Sequence, residues 1–147
     1  VGGWDSTDQE CERYAAELEK RSFLRREPPI SHSLCLQEMQ RSSVLLVLQP
    51  DSPLQVPAKI YEYVATGRPL LLIGGEGATA NLVTRHALGV SSPNQLEAIK
   101  VLLNELATGA RKLAQPDVTR VNRFDYRSLT GDLAAVLDVV IGAKECS

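Results

Sequence analysis

Residues 70–73, Leu-Leu-Leu-Ile, form an unbroken apolar run between a proline and a cluster of glycines, and this leaves few folds open. A strand that is apolar at every position, rather than at alternate ones, is covered on both faces. The residues before it are equally directive. Pro57 suits the first position of a helix, where a missing N–H and a fixed φ do no harm. Val56, Ile60, Tyr63 and Val64 then fall at i, i+4, i+7 and i+8, one apolar face at helical period. Lys59 and Glu62 stand three apart on the flank of that face, within reach of each other. Gly67 can take the left-handed conformation that ends a helix, and Pro69 prevents its resumption. Gly74, Gly75 and Gly77 allow close backbone approach before another helix begins.

The rest of the chain repeats this alternation. Val1-Gly2-Gly3 reads as the end of a strand entering a glycine turn with nothing before it, so a domain truncated upstream is expected. Thr7 and Glu10 have the spacing of a capping box. Cys11, Tyr14, Ala15 and Leu18 then predict a helix over 7–20. A short strand is expected around Phe23 and Leu24, followed by the stiff Pro28-Pro29 link. Ser31 or Ser33 can cap a helix carrying Leu34, Cys35, Leu36 and Met39. Val44–Leu48 is a second buried strand, and 49–55, with Pro50 and Pro53, is a loop. Past the glycines, a helix over 78–86 leads to a short strand at 88–90. Ser92, Pro93 and Gln95 read as the start of a helix burying Leu96, Ile99, Leu103 and Leu106. Residues 110–124 are polar. A last helix over 129–141 is expected to bury Leu133, Val136, Leu137 and Val140.

Helices alternating with continuously apolar strands predict an α/β domain, a Rossmann-like parallel sheet with helices on both faces. In such sheets ligands bind beyond the carboxyl ends of the strands. The loops at 49–55 and 74–77 are therefore the places to look. At 147 residues one domain is expected. Apolar residues are 44% and charged residues 23%, an ordinary globular balance. A net charge of −2 supplies no electrostatic reason for nucleic acid as a partner. No run of about 18 apolar residues marks a spanning helix, and the first residues have neither the basic region nor the apolar core of a secretory signal. The three cysteines, Cys11, Cys35 and Cys146, are an odd count without CxxC spacing. Free structural thiols in a reducing cytoplasm are expected, with no zinc site.

The segment Pro57-Ala58-Lys59-Ile60-Tyr61-Glu62-Tyr63-Val64-Ala65-Thr66-Gly67-Arg68-Pro69 resembles the donor-site segment of retaining glycosyltransferases of the GT-B fold, family 4 or group 1. The family pattern is roughly Pro-x-Lys-apolar-aromatic-Glu-[Tyr/Ala]-apolar-Ala-x-Gly-[Lys/Arg]-Pro before an apolar strand. Met39–Leu46 is similar to the family's strand entry, with Ser43 where aspartate is usual. Leu88-Gly89-Val90 and Phe124–Thr130 resemble its next strand and its closing stretch. The resemblance implies a truncated GT-B C-terminal domain. This domain would bind a UDP-, GDP- or ADP-sugar, with no metal, and Glu62 would accept hydrogen bonds from the ribose hydroxyls. A carboxylate offers only acceptors, and charge-assisted bonds are the strong ones. Many members carry another glutamate eight residues earlier; here that position is Leu54. The family's basic diphosphate ligands and its N-terminal acceptor domain would lie upstream of Val1, so the fragment alone is expected to be inactive. Without its neighbouring strand, the open edge beside Val44–Leu48 is expected to favour self-association. A cytoplasmic place, including the inner membrane surface, is implied.

The donor-binding candidates are Glu62, Lys59, Asp51, Ser52, Gly74, Gly75 and His32. Each has a plainer reading. Glu62 and Lys59 can be a solvated helix pair, Asp51 and Ser52 turn residues, and the glycines a simple connection, since GxGxxG and GxxxxGK[ST] are absent. His32 can touch a nucleotide or cap its helix. No Ser/His/Asp or Cys/His set suggests a catalytic nucleophile. An NAD-binding dehydrogenase lacks its glycine motif here, and a receiver-type domain lacks its acidic pair. A non-catalytic nucleotide-binding or interaction module of the same fold remains the alternative.

Overall fold

The computed structural model describes residues 8–49, 52–117 and 125–145. Readings that rest on residues 1–3, Thr7, Pro50, Asp51, Phe124 or Cys146 lie outside these. The chain divides into two compact units, Val1–Glu38 and Met39–Ser147.

In the first unit, α1 (Gln9–Lys20) starts on Asp8, whose carboxylate accepts from the amides of Glu10 and Cys11 at 2.8 and 3.4 Å. Those bonds hold the Asp8 carboxyl below its usual range, and the carboxylate pushes the Cys11 thiol up. Of the apolar stripe expected on α1, only Ala15 is buried, and Cys11, Tyr14 and Leu18 are exposed. The strand expected at Phe23-Leu24 is a turn instead. The Phe23 and Leu24 amides both donate back to Leu18 O, and Ser22 adopts φ 59°. That turn swings Arg26 back toward α1, where Nε and Nη2 donate to the Glu19 carboxylate at 2.8 and 2.6 Å and Nη1 to Glu12. The pair raises the Arg26 pKa and lowers that of Glu19. α2 (His32–Arg41) is capped by Ser31, whose Oγ accepts from the Leu34 amide at 3.4 Å.

The second unit is an α/β sheet domain. β1 (Leu45–Gln49), β2 (Leu70–Gly74) and β3 (Gly89–Ser92) run parallel in the order β1-β2-β3. α3 (Lys59–Ala65) and α4 (Ala78–Arg85) form the two crossovers. Parallel neighbours in register share a face, and Leu45 lies opposite Leu70, which lies opposite Gly89. Leu45, Val47, Gln49, Leu70, Leu72 and Gly74 therefore line one face, and Leu46, Leu48, Leu71, Ile73 and Val90 the other. β2 is buried throughout, as its apolar run predicts. Gly89 is required where β3 meets β2, because a Cβ there would come 1.9 Å from Leu70 O. Gly67, at φ 70°, closes α3.

The second face is covered by α5 (Leu96–Thr108), whose Leu102 packs on Leu71 and Ile73 with Ile99, Leu106, Val44 and Val90 around them. This corrects the expected buried set. Leu96 and Leu103 are exposed, because α5 turns the face bearing Ile99, Leu102 and Leu106 to the sheet; its N-cap is Gln95, and Ser92 belongs to the end of β3. The buried contact of α5 is with Leu71 and Ile73 of β2, and β1 is left open on that face: Leu46 and Leu48 are 51% and 66% exposed. α3 begins two residues later than Pro57 suggests, after the Ile60 amide bonds Pro57 O in a tighter turn. The last helix, α6 (Tyr126–Glu145), is longer than expected, and Leu133, Val136, Leu137 and Val140 on it are exposed rather than buried. Among the described residues no helix is long and apolar enough to cross a membrane.

Candidate functional site

At the carboxyl ends of β1 and β2, where parallel sheets bind ligands, lies a cavity of about 210 Å3. Its walls come from the two loops singled out above: Gln49, Ser52 and Pro53 after β1, and Gly74 to Gly77 and Thr79 after β2. The two loops touch through their backbones. The Ala78 amide donates to Pro53 O at 2.6 Å. A Cβ on Gly77 would sit 2.5 Å from that same oxygen, and one on Gly74 would sit 2.5 Å from Gln49 O. Gly75 faces open space.

A buried polar group sits behind this contact. Gln49 is 8% exposed and Thr79 3%. Gln49 Nε2 donates to Ser52 O at 3.2 Å and Gln55 O at 2.8 Å. The Thr79 hydroxyl stands 2.9 Å from Gln49 Oε1 and 2.8 Å from Gln55 O, its proton shared between the two acceptors. Buried polar atoms left unpaired are costly, so a network satisfied this fully specifies one loop arrangement. A wider groove of about 860 Å3 adjoins the cavity, sharing Pro53, Glu76 and Gly77 and adding Leu54, Asn81 and Arg85.

Of the residues singled out from sequence, Ser52, Gly74 and Gly75 meet at the cavity. Glu62 and Lys59 are exposed on α3 and do not line it. His32 opens α2, exposed, in the stretch that belongs to the first unit. Asp51 lies outside the described residues. Four residues were missed: Gln49, Thr79, Glu76 and Arg85. Gln49 was legible through parity, because it continues the inward series Leu45, Val47 along β1. Thr79 was not, since its partner is thirty positions away.

Among the described residues no group of three His, Cys, Asp or Glu side chains is arranged to hold a metal ion. Among the described residues the cavity mixes backbone polar groups and glycines with the carboxylate of Glu76, while the adjoining groove adds the Arg85 guanidinium. Such a surface suits a polar ligand with both hydroxyl and anionic parts. Compared with known protein families, with curated proteins and with solved structures, the chain finds no match.

Proposed function

We propose that residues 39–147 are the nucleotide-sugar-binding part of a retaining glycosyltransferase. The observation that carries the reading is the cavity at the carboxyl ends of β1 and β2, lined by Ser52, Gly74 and Gly75 and opening toward a groove with Arg85. A cavity of about 210 Å3 is small for a whole nucleotide sugar, whereas the adjoining groove of about 860 Å3 falls in the usual range for such ligands, about 300–1,000 Å3. α3, which joins the two strands bordering the cavity, carries the Lys59–Glu62 segment of the resemblance.

In this reading the domain binds and orients the donor, and reaction follows from positioning and from stabilising charge on the departing diphosphate. Glu62 accepts from the ribose hydroxyls. Arg85 offers a positive group to the diphosphate, in addition to the basic groups that the resemblance places upstream of Val1. Glu76, at the mouth shared by cavity and groove, supplies acceptors for sugar hydroxyls where Leu54 cannot.

Titration calorimetry with UDP, GDP and ADP tests the reading. One of the three is expected to bind the chain, and Glu62→Ala and Arg85→Ala are each expected to weaken it about 10-fold. Failure of all three to bind would sink the proposal. One observation favours a non-catalytic module instead: Glu62 does not line the cavity. If a nucleotide binds equally well to Glu62→Ala, that second reading takes over.

A further inference from the structure

We propose that Gln49 and Thr79 are positioning residues: they latch the loop after β1 to the start of α4 and hold the cavity between them in a preformed shape. The geometry is specific. Three carbonyls of one short loop, those of Ser52, Pro53 and Gln55, are each claimed by a donor from another element. Gln49, at the last position of β1, supplies two of these bonds through one amide. Thr79, in the first turn of α4, reaches both that amide's oxygen and Gln55 O. The Ala78 amide takes Pro53 O. Residues 52–57 lie in no helix or strand, and a loop segment without such ties samples many conformations.

Both latch residues also line the cavity, so the atoms that secure the loop are its inner wall. A site formed before the ligand arrives loses less conformational freedom on binding. The latch therefore sets affinity through loop order, without itself needing to touch the ligand. The affinity part of this proposal rests on the nucleotide-sugar reading; the ordering of the loop does not.

Amide hydrogen exchange on the 147-residue chain tests the ordering. The reporters are Gln55, whose N–H bonds Ser52 O, and Ala78, whose N–H bonds Pro53 O; Leu70, bonded to Leu88 O, monitors the sheet. Thr79→Val keeps the shape and removes the hydroxyl, Gln49→Met removes the amide, and Thr79→Ser restores the hydroxyl. Exchange at Gln55 and Ala78 is expected to quicken about 10-fold in Thr79→Val and Gln49→Met and to stay near wild type in Thr79→Ser, with Leu70 unchanged. Unchanged exchange at both reporters in Thr79→Val overturns the latch. Should Gln49→Met also quicken Leu70, the Thr79→Val and Thr79→Ser pair decides alone. With UDP, GDP and ADP, whichever binds wild type is expected to lose about 10-fold affinity in Thr79→Val and to regain it in Thr79→Ser. Equal affinity in Thr79→Val, despite a loosened loop, overturns the positioning role. If no nucleotide binds wild type, the nucleotide reading and the affinity role fail together, while the exchange comparison still decides the latch.

Discussion

Among the described residues of the first unit, distant parts of the chain are tied by guanidinium groups, above all Arg26, which holds Glu19 through two nitrogens and Glu12 through a third. In the second unit the tie is a strand, β2, buried at every position, flanked by β1 and β3 and covered by Leu102 on the face of Leu71 and Ile73. The first unit buries little apolar surface, with Ala15 and Cys35 as its buried apolar residues among those described. The second buries Ile60, Val64, Leu70, Leu72, Val83 and Leu88 almost completely. Charge ties in contact with solvent are screened by salt and respond to pH. Apolar burial has no charge to screen or titrate and scales with area removed from water. The candidate cavity stands on the second kind of support, which suits a site that must keep its shape.

The sharpest break of this contrast is at the sheet. Gly89→Val puts carbon atoms where Leu70 O already lies and is expected to cost about 3 kcal/mol or more, or to prevent folding, by urea denaturation. Leu72→Ala, at 1% exposure, is expected to cost about 3 kcal/mol by the same measurement, through lost burial and the cavity left behind. Gly77→Ala is expected to cost about 1–2 kcal/mol and to quicken exchange at the Ala78 amide, because its Cβ meets Pro53 O.

Acid should separate the two units. Arg26 holds the Glu19 carboxyl below its ordinary value of 4.5. A lowered folded pKa adds stability that is complete above the ordinary value and is lost as pH falls through the lowered one. The Asp8 cap, lowered from 3.8 by the amides it accepts, has the same sign. Exchange in α1 is therefore expected to quicken as pH drops below about 4, once corrected for intrinsic rates, while β2 stays protected. Added salt and Arg26→Gln should loosen the same helix. Equal response of both units would erase the contrast. The smallest effect is expected on α6: Leu137→Gln, at a position 50% exposed, should change stability by no more than about 0.5 kcal/mol.

Much of the fold was legible. Leu70–Ile73, bounded by Pro69 and the glycines, could be little else than a doubly covered strand, and the Gly67 stop fell where expected. Apolar alternation also located β1 and β3 within a residue or two. What failed was the assignment of covers. Val44–Leu48 is as apolar as β2, yet Leu46 and Leu48 face outward because α5 does not extend over them. α5 has apolar residues around much of its circumference, so periodicity allowed two faces, and the sheet selected the one bearing Leu102. On α6 the spacing of Leu133, Val136, Leu137 and Val140 is helical, as expected, but all four are exposed.

The candidate site divides along the same line. The sequence alone determined the parallel α/β alternation, the two loops at the strand ends and three of the residues that line the cavity, because those depend on short-range spacing and on where glycine and proline allow the chain to turn. Tertiary structure alone decided that Glu62 stands away from that cavity, that Arg85 joins its groove, and that Gln49 and Thr79 meet across thirty residues. Those outcomes depend on strand register and on which helix covers which face, and a local pattern carries no record of either.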